Sequence, residues 1–495
     1  MHRKPTHEID LDAEAFRDLG YQLVDMIAGF FEQIHQYPTT CALTAEEIRA
    51  GLPGDTFPED GVDVSTLMTV TAEMLFSGVR HTGHPKTLGS FAGSAAPVGV
   101  LSDLLGAALN ANLVGWDASP VPCEIEAQTI RWLGQLVHYT DSAEGLFVSG
   151  GTAANLTGFF CARCAAGVKE SIRHVGMQAC SEKFKVYASA DTHTWIEKAA
   201  DLSGLGTDAI QWIDVTASHK INIDLLNQQI IEDIHNGYKP LMIVGNAGTV
   251  KTGAVDPLKA LSEIARQFQM WFHVDGAFGA PAATLPNKMS LFEGMDQADS
   301  LALDTHKWLY APIEAGAVLV KDRKHLLNTF GFSPDYYHDR DPNSTDINNY
   351  FALGIQNTRG FKALKVWTIF RQLGLKGIRS LLAQNIEMAN LFANILEKYS
   401  CFEIVTHNLC VVTFRFGIHC QNFDDLRFID RLNEALLSEI KKSGSSHFSI
   451  SIIDDKTCLK ACFTNFRTQA GDLREIIADM VQTGEDLLRG NCSGG

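Results

Sequence analysis

The chain has 495 residues, 45% of them hydrophobic and 20% charged, which is enough for two or three domains around a sizeable core and too apolar for a disordered protein. Its 41 Lys and Arg stand against 58 Asp and Glu, a formal charge of -17, so nucleic acid and anionic membrane surfaces are repelled on average and neither is an expected partner. Eleven scattered cysteines, an odd count in a chain this long, suit reduced thiols better than a disulfide framework, and no metal site is expected.

The opening "MHRKPTHEID" has no apolar stretch or small-residue cleavage site behind it, so no secretory signal is expected and the cytoplasm is the default compartment. In "IDLDAEAFRDLGYQLVDMIAGFFEQI", Phe16, Leu19, Leu23, Ile27 and Phe30 recur at spacings of three and four, which predicts an amphipathic helix. A Gly/Pro/Asp-rich link over Gly51 to Gly61 leads to a second helical stretch from Val64 to Met74. Residues 1–95 therefore read as a helical appendage. Ser102, Asp103, Asn110 and Asn112 interrupt the apolar run from Val98 to Trp116, which argues against a membrane span.

From Ala96 onward, short apolar runs alternate with helical patterns: "GLFVSGG", "KVYASA", "AIQWIDV", "LMIVGNAG", "WFHVDGAF", "SLALD" and "GAVLV". That alternation predicts an α/β domain over 96–375, with a mostly parallel central sheet covered on both faces. Asp256 as N-cap and Pro257 in the first turn predict the start of the helix "LKALSEIARQF". Past Lys376 the pattern turns to helices around "FEIV", "LCVVTFRF", "FSISII" and "CLKACF", a smaller α+β domain over 376–495 with antiparallel strands.

Four features carry chemistry. "FVSGGTAANLTGFF" is an apolar strand, a Ser/Gly turn and a helix beginning near Thr152, which suits a phosphate at a helix N-terminus or simply a βα turn that needs glycine. "WFHVDGAFG" ends a strand in Asp275, where α/β sheets place ligand-binding groups or a loop acid. His193 follows another strand end, and Lys307 in "LDTHKWLY" lies among large, mostly apolar neighbours where a free ammonium is costly. Together they match pyridoxal 5'-phosphate, whose phosphate, aldehyde, ring nitrogen and flat ring call for a helix N-terminus, a lysine, a carboxylate and packing partners. No Lys follows the glycines as in a P-loop, and no dinucleotide fingerprint occurs at a first βα turn, which sets aside a nicotinamide enzyme.

"SLALDTHKWLYAPIEAGAVLVKD" resembles the lysine signature of the group II pyridoxal-dependent amino-acid decarboxylases, with Ser300, Leu301, Lys307, Ala315 and Lys321 at its spacing. The resemblance extends to "FRDLGYQLVDMIAGFF", "DASPVPCEIEAQTIRWLGQL" and "NTRGFKALKVW". It implies the type I, aspartate-aminotransferase-like fold, as a homodimer with active sites at the subunit interface and the N-terminal helices clasping the partner. It further implies that Lys307 holds the cofactor's aldehyde, preceded by His306, and that Asp275 pairs with the ring nitrogen. Ala277 and His193 would sandwich the ring, Thr249 would lie near the ring hydroxyl or the substrate, and Gly151, Thr152 and Asp304 would meet the phosphate. Asp304 stands where some relatives have asparagine, which puts an acid near a dianion.

The family reaction is loss of the α-carboxylate of an L-amino acid as carbon dioxide. In "GFSPDYYHD", Tyr336 matches the tyrosine that returns the proton, with Tyr337 adjacent; a branch with phenylalanine there makes aldehydes instead. Phe91 matches the aromatic substrate pocket, whereas Thr82, Ser90, Ala92, Gly93 and Val114 replace residues that are bulkier or different in aromatic enzymes. An aromatic substrate is favoured by family frequency alone, with glutamate-like or diamino acids behind it and Arg80 or Lys86 as candidates to balance a distal charge. An aminotransferase on this fold would need an arginine for α-carboxylates, a part for which Arg359 could be mistaken.

Overall fold

The structure, a computed structural model, describes residues 9–168, 172, 175–332, 348–417 and 426–492. Helix α1 (Ala13–Gln33) is capped by Asp12, whose side chain accepts from the amides of Glu14 and Ala15. After α2 (Ala45–Gly51), α3 (Val64–Ser77) lies against α1, with Phe30 and Phe76 stacked at 4.5 Å. No residue of α1 is buried, and Phe16, Tyr21, Leu67 and Val70 stay exposed, so the amphipathic pattern is present without a core to receive it in one chain.

Seven strands form the central sheet: β1 (Glu144–Val148), β2 (Lys183–Ser189), β3 (Ile210–Ile213), β4 (Tyr238–Asn246), β5 (Trp271–Asp275), β6 (Ser300–Asp304) and β7 (Gly316–Val320). Their order is β1-β7-β6-β5-β4-β2-β3, with every pair parallel except the two that involve β7. Strands β5, β6 and β7 are buried along their whole length, as expected of strands covered on both faces. Helices α4 (Pro97–Leu109), α5 (Pro120–Leu136) and α6 (Gly151–Arg163) belong to this part of the chain. Among the described residues no helix is long and apolar enough to cross a membrane.

The helix Leu258–Gln267 forms, but Asp256 does not cap it. Its Oδ1 accepts from the Ile221 amide at 2.8 Å, and its Oδ2 accepts from the amide and side-chain nitrogens of Asn246 at 2.8 and 2.9 Å. Buried amide donors at the end of β4 need an acceptor, and the carboxylate serves them instead of the helix start.

A second, antiparallel sheet of four strands, ordered β10-β11-β9-β8, is built from β8 (Phe402–Asn408), β9 (Val411–Phe416), β10 (Ser449–Ile453) and β11 (Lys456–Cys462). The long helix Lys362–Leu396 leads to it and breaks at Gly374, whose φ of 59° and ψ of 178° suit only glycine. Residues 81–94 do not behave as part of a helical appendage. The Leu88 amide donates to His447 O, Cys462 N donates to Leu88 O, and Ser94 Oγ donates to Asn465 Oδ1. The segment is thus laid on the small sheet, so closely at Gly93 that a Cβ there would come within 2.3 Å of Thr464 O.

Candidate active site

Parallel strands bring their C-terminal ends to one edge of a sheet, where loops converge and ligands bind. Here β1, β2, β4, β5 and β6 end in or just before Gly150, His193, Asn246, Asp275 and Asp304, all of which line one cavity of about 380 Å³. Ser149, Gly151, Thr152, Asn155, Ala277, His306 and Lys307 line it too, and Phe91 closes one side. That volume lies within the range of small-molecule sites, roughly 300–1,000 Å³.

Lys307 and its apolar neighbours part company in the irregular turn after β6. Trp308, Leu309 and Tyr310 are buried; Trp308 stacks on Phe278 at 5.2 Å, and both its Nε1 and the Tyr310 hydroxyl donate to Asn385 Oδ1. Lys307 turns the other way, into the cavity, with Nζ 2.9 Å from Asp304 Oδ2. His306 accepts at Nδ1 from the Ala315 amide at 3.2 Å and lies 3.8 Å from Asp304 through Nε2. Burial holds its imidazole below the ordinary histidine range, against the pull of Asp304.

Gly150 and Gly151 open α6 with no side-chain cap, so first-turn amides of that helix are free to meet an anion in the cavity. A Cβ on Gly151 would come within 2.7 Å of Asp304 Oδ2 and 3.1 Å of the Ala277 methyl, and one on Gly316 within 2.5 Å of Gly150 Cα. Glycine is required by close approach here, not by a turn dihedral: the N-cap Gly150 is in extended backbone. Asp304 Oδ1 is buried without a hydrogen-bond partner and faces this cradle.

Across the cavity, Asp275 Oδ1 accepts from the Ala277 amide at 3.1 Å and Oδ2 from the Trp195 indole at 2.7 Å. His193 accepts at Nδ1 from the Trp195 amide at 3.2 Å, which leaves a neutral ring its proton on Nε2. Its surroundings are protein even though one edge is open, and partial burial lowers its proton affinity more than Asp275 raises it.

Other candidates fall elsewhere. Thr249 is buried and its hydroxyl is shared with Thr252 at 3.0 Å; Gly248 and Val250 line the cavity and Thr249 does not. Thr82, Ser90 and Val114 are also outside its lining. Lys86 pairs with Glu475 at 2.7 Å. Arg359 is buried in an ion pair with Glu126, donates to Phe147 O at 2.8 Å and lies over the Tyr350 ring, so it is a core tie away from the cavity. Tyr336 and Tyr337 lie outside the described residues.

Lys460, which carries no local motif, emerges only from the fold. It is buried, donates to Val250 O at 2.8 Å and sits 4.9 Å from the Phe91 ring centre; burial lowers its proton affinity. Phe91 itself meets Phe278 edge-on at 4.4 Å.

The donor set fits pyridoxal phosphate: an uncapped helix N-terminus for the phosphate, a lysine within reach of an aldehyde, and an oriented carboxylate for the ring nitrogen. If α6 is that cradle, Gly151→Val fills it. Overpacking of about 1–3 kcal/mol predicts roughly five- to 150-fold weaker binding of pyridoxal phosphate, measured by absorbance titration, with the far-ultraviolet circular dichroism unchanged.

Comparison with known proteins points the same way. Residues 46–417 match the family model described as the pyridoxal-dependent decarboxylase conserved domain. The chain is 32% identical over 483 residues to an aromatic-L-amino-acid decarboxylase of Bacillus atrophaeus, covering 97% of this chain and 98% of that one. It is 29% identical to a phenylacetaldehyde synthase of Petunia hybrida, with 90% and 89% covered. Catharanthus roseus tryptophan decarboxylase in complex with L-tryptophan superposes with a TM-score of 0.86 at 25% identity, covering 96% of this chain and 99% of that one.

Proposed function

The chain belongs to the pyridoxal-dependent decarboxylase family, and from that premise we propose that it converts an aromatic L-amino acid to the amine and carbon dioxide in a homodimer. The observation that carries the reading is the convergence of Lys307, Asp275, His193 and the uncapped start of α6 on one cavity. Bound pyridoxal phosphate supplies an electron sink that stabilises the charge left at Cα when carbon dioxide departs. Lys307 would hold the aldehyde through Nζ, and the Asp275 carboxylate would keep a proton on the ring nitrogen. The His193 imidazole and the Ala277 methyl would pack against the ring, and the start of α6 at Gly151 and Thr152 would hold the phosphate; Asp304, also assigned to the phosphate end, is an acceptor only and its charge there is offset by Lys307 at 2.9 Å.

Tyr336, or the adjacent Tyr337, would return the proton to Cα. Tyrosine there favours the amine over the aldehyde named for the Petunia relative. An aromatic substrate is supported by the Bacillus and Catharanthus relatives and by Phe91 on the cavity wall. Lys460 favours a second reading, a substrate with a distal carboxylate, because its buried ammonium lies 4.9 Å from the ring of Phe91, which lines the cavity.

The homodimer is supported by the exposed apolar faces of α1, α3 and α4, where Phe16, Val70, Leu101, Leu104 and Leu105 lie open in one chain. A reducing, cytoplasmic setting is supported by the nine described thiols, none of them in a disulfide; Cys161 and Cys164, the chain's C-x-x-C pair, donate separately to His325 O and Asn328 O.

The test is mass spectrometry of products after the loaded protein is incubated with pooled L-amino acids under air. An aromatic amine lighter than its parent by one carbon dioxide is expected. An amine from an acidic amino acid transfers the assignment to the Lys460 reading, and aldehydes or keto acids overturn simple decarboxylation.

A further inference from the structure

Trp195 opens the helix Trp195–Leu202 and is buried at 1% exposure, an expensive place for an indole N–H unless it has an acceptor. Its acceptor is Asp275 Oδ2, at 2.7 Å, while Oδ1 takes the Ala277 amide at 3.1 Å. The carboxylate is therefore held at both oxygens, one by its own turn and one by a residue eighty positions earlier.

The layer behind is built from neutral groups. His273 contacts Asn155 Oδ1 through Nε2 at 2.6 Å and Ser300 Oγ through Nδ1 at 2.7 Å; Trp271 Nε1 also donates to Ser300 Oγ, at 2.8 Å. Burial holds the His273 pKa down to about 4, so it adds no positive charge near Asp275 at neutral pH. The Trp195 ring meets the His273 ring edge-on at 5.6 Å. A cationic donor at Oδ2 would draw on the same negative charge that the ring nitrogen needs. An indole orients the carboxylate without neutralising it, and it does not titrate.

We propose that Trp195 is a positioning residue for the cofactor's ring nitrogen: its N–H fixes the Asp275 carboxylate in the orientation that receives the ring N–H while leaving that carboxylate its full charge. This rests on the reading of Asp275 given above. The role has a specific signature, because it concerns one atom of the cofactor. Loss of the indole donor should weaken recognition of that atom and leave recognition of the phosphate and the rest of the ring intact.

The experiment compares apoprotein affinity for pyridoxal phosphate with that for its 1-deaza analogue, in which a ring C–H replaces the nitrogen, by equilibrium dialysis of wild type and Trp195→Phe. Wild type should prefer the natural cofactor by about tenfold or more, in keeping with a hydrogen bond to a charged group. In Trp195→Phe the preference should contract to within roughly threefold, through weaker binding of the natural cofactor alone. Equal weakening of both ligands, or an unchanged ratio, would show that Trp195 only fills space and would overturn the proposal. A wild type that binds both ligands equally would instead remove the Asp275 assignment.

Should Trp195→Phe not fold, wild-type protein labelled with ¹⁵N-tryptophan carries the test. Of the six other tryptophans, Trp116, Trp271, Trp308 and Trp367 donate to Glu124, Ser300, Asn385 and Gln128, and Trp132 and Trp212 lie outside the cavity lining, so an indole resonance that answers to the ring nitrogen reports on Asp275. One indole signal should differ between protein loaded with the natural cofactor and with the deaza analogue. Identical indole spectra would overturn the inference.

Discussion

Lys307→Ala is expected to abolish turnover, with a loss of at least about ten-thousandfold in product formation, the scale seen when a covalent group is removed from an enzyme. Among the described residues lining the cavity Lys307 is the one lysine, and no neighbour can take over its bond to the cofactor. Lys460 is too far committed, with its ammonium on Val250 O behind the Phe91 ring. The substitution has a second consequence, in the protein without cofactor. Asp304 Oδ2 loses its cation at 2.9 Å while Oδ1 already lacks a partner, so a buried carboxylate is left with only His306 at 3.8 Å. An unpaired buried acceptor costs about 1–3 kcal/mol, so the apoprotein of Lys307→Ala should unfold at a lower temperature than wild type. Lys307→Arg separates the two effects: a guanidinium restores the charge opposite Asp304 but cannot stand in for the amine. Thermal unfolding near that of wild type together with absent turnover is the expected pair of results for Arg. Turnover retained by Lys307→Ala would remove the lysine from the chemistry.

Lys307, Asp275 and the Gly150–Gly151–Thr152 turn were legible because each is the punctuation at the end of an apolar strand, and a strand end in a parallel sheet is a geometric address. The alternation of periods that gives the sheet also gives the edge where these residues meet. Strand order is another matter. The antiparallel return of β7 beside β6 is local, but its pairing with β1 joins residues more than 150 positions apart, such as Phe147 with Ala317, and no local pattern encodes that. Residues 81–94 carry no local pattern that announces their contact with the small sheet, because a non-periodic segment hydrogen-bonded to distant backbone, as Leu88 is to His447 and Cys462, has no pattern of its own.

Support for the site was the least legible layer. Nothing in the local sequence distinguishes Trp195; only the fold shows its N–H aimed at Asp275. Lys460 lies in the alternating strand "CLKACF", where a lysine reads as the solvent face, yet the strand packs against residues 88–94 and buries it. Asp256 shows the converse failure. A residue with ideal capping chemistry was drawn away by three buried nitrogen donors, because a buried amide without an acceptor costs more than an uncapped helix start.

Asp275→Asn, which keeps the shape of the side chain, is expected to lower kcat on the order of a hundredfold or more, from loss of roughly 3 kcal/mol of charge stabilisation at the ring nitrogen. It is less conservative than it looks. Both carboxylate oxygens face donors, the Trp195 indole on one side and the Ala277 amide on the other, and an asparagine has only one oxygen to offer them. Whichever way the amide is turned, its NH₂ meets an N–H, and that donor is left unsatisfied in a buried setting. The loss of activity should therefore come with a measurable fall in apoprotein stability, about 1–3 kcal/mol in denaturant unfolding. Asp275→Glu keeps the charge but pushes it toward the cavity by one methylene, and should bind pyridoxal phosphate with an altered absorption maximum and low turnover. If Asp275→Asn were instead stable and fully active, the carboxylate would have no role in holding a proton on the ring nitrogen, and its two donors would be no more than a way of satisfying a buried acid.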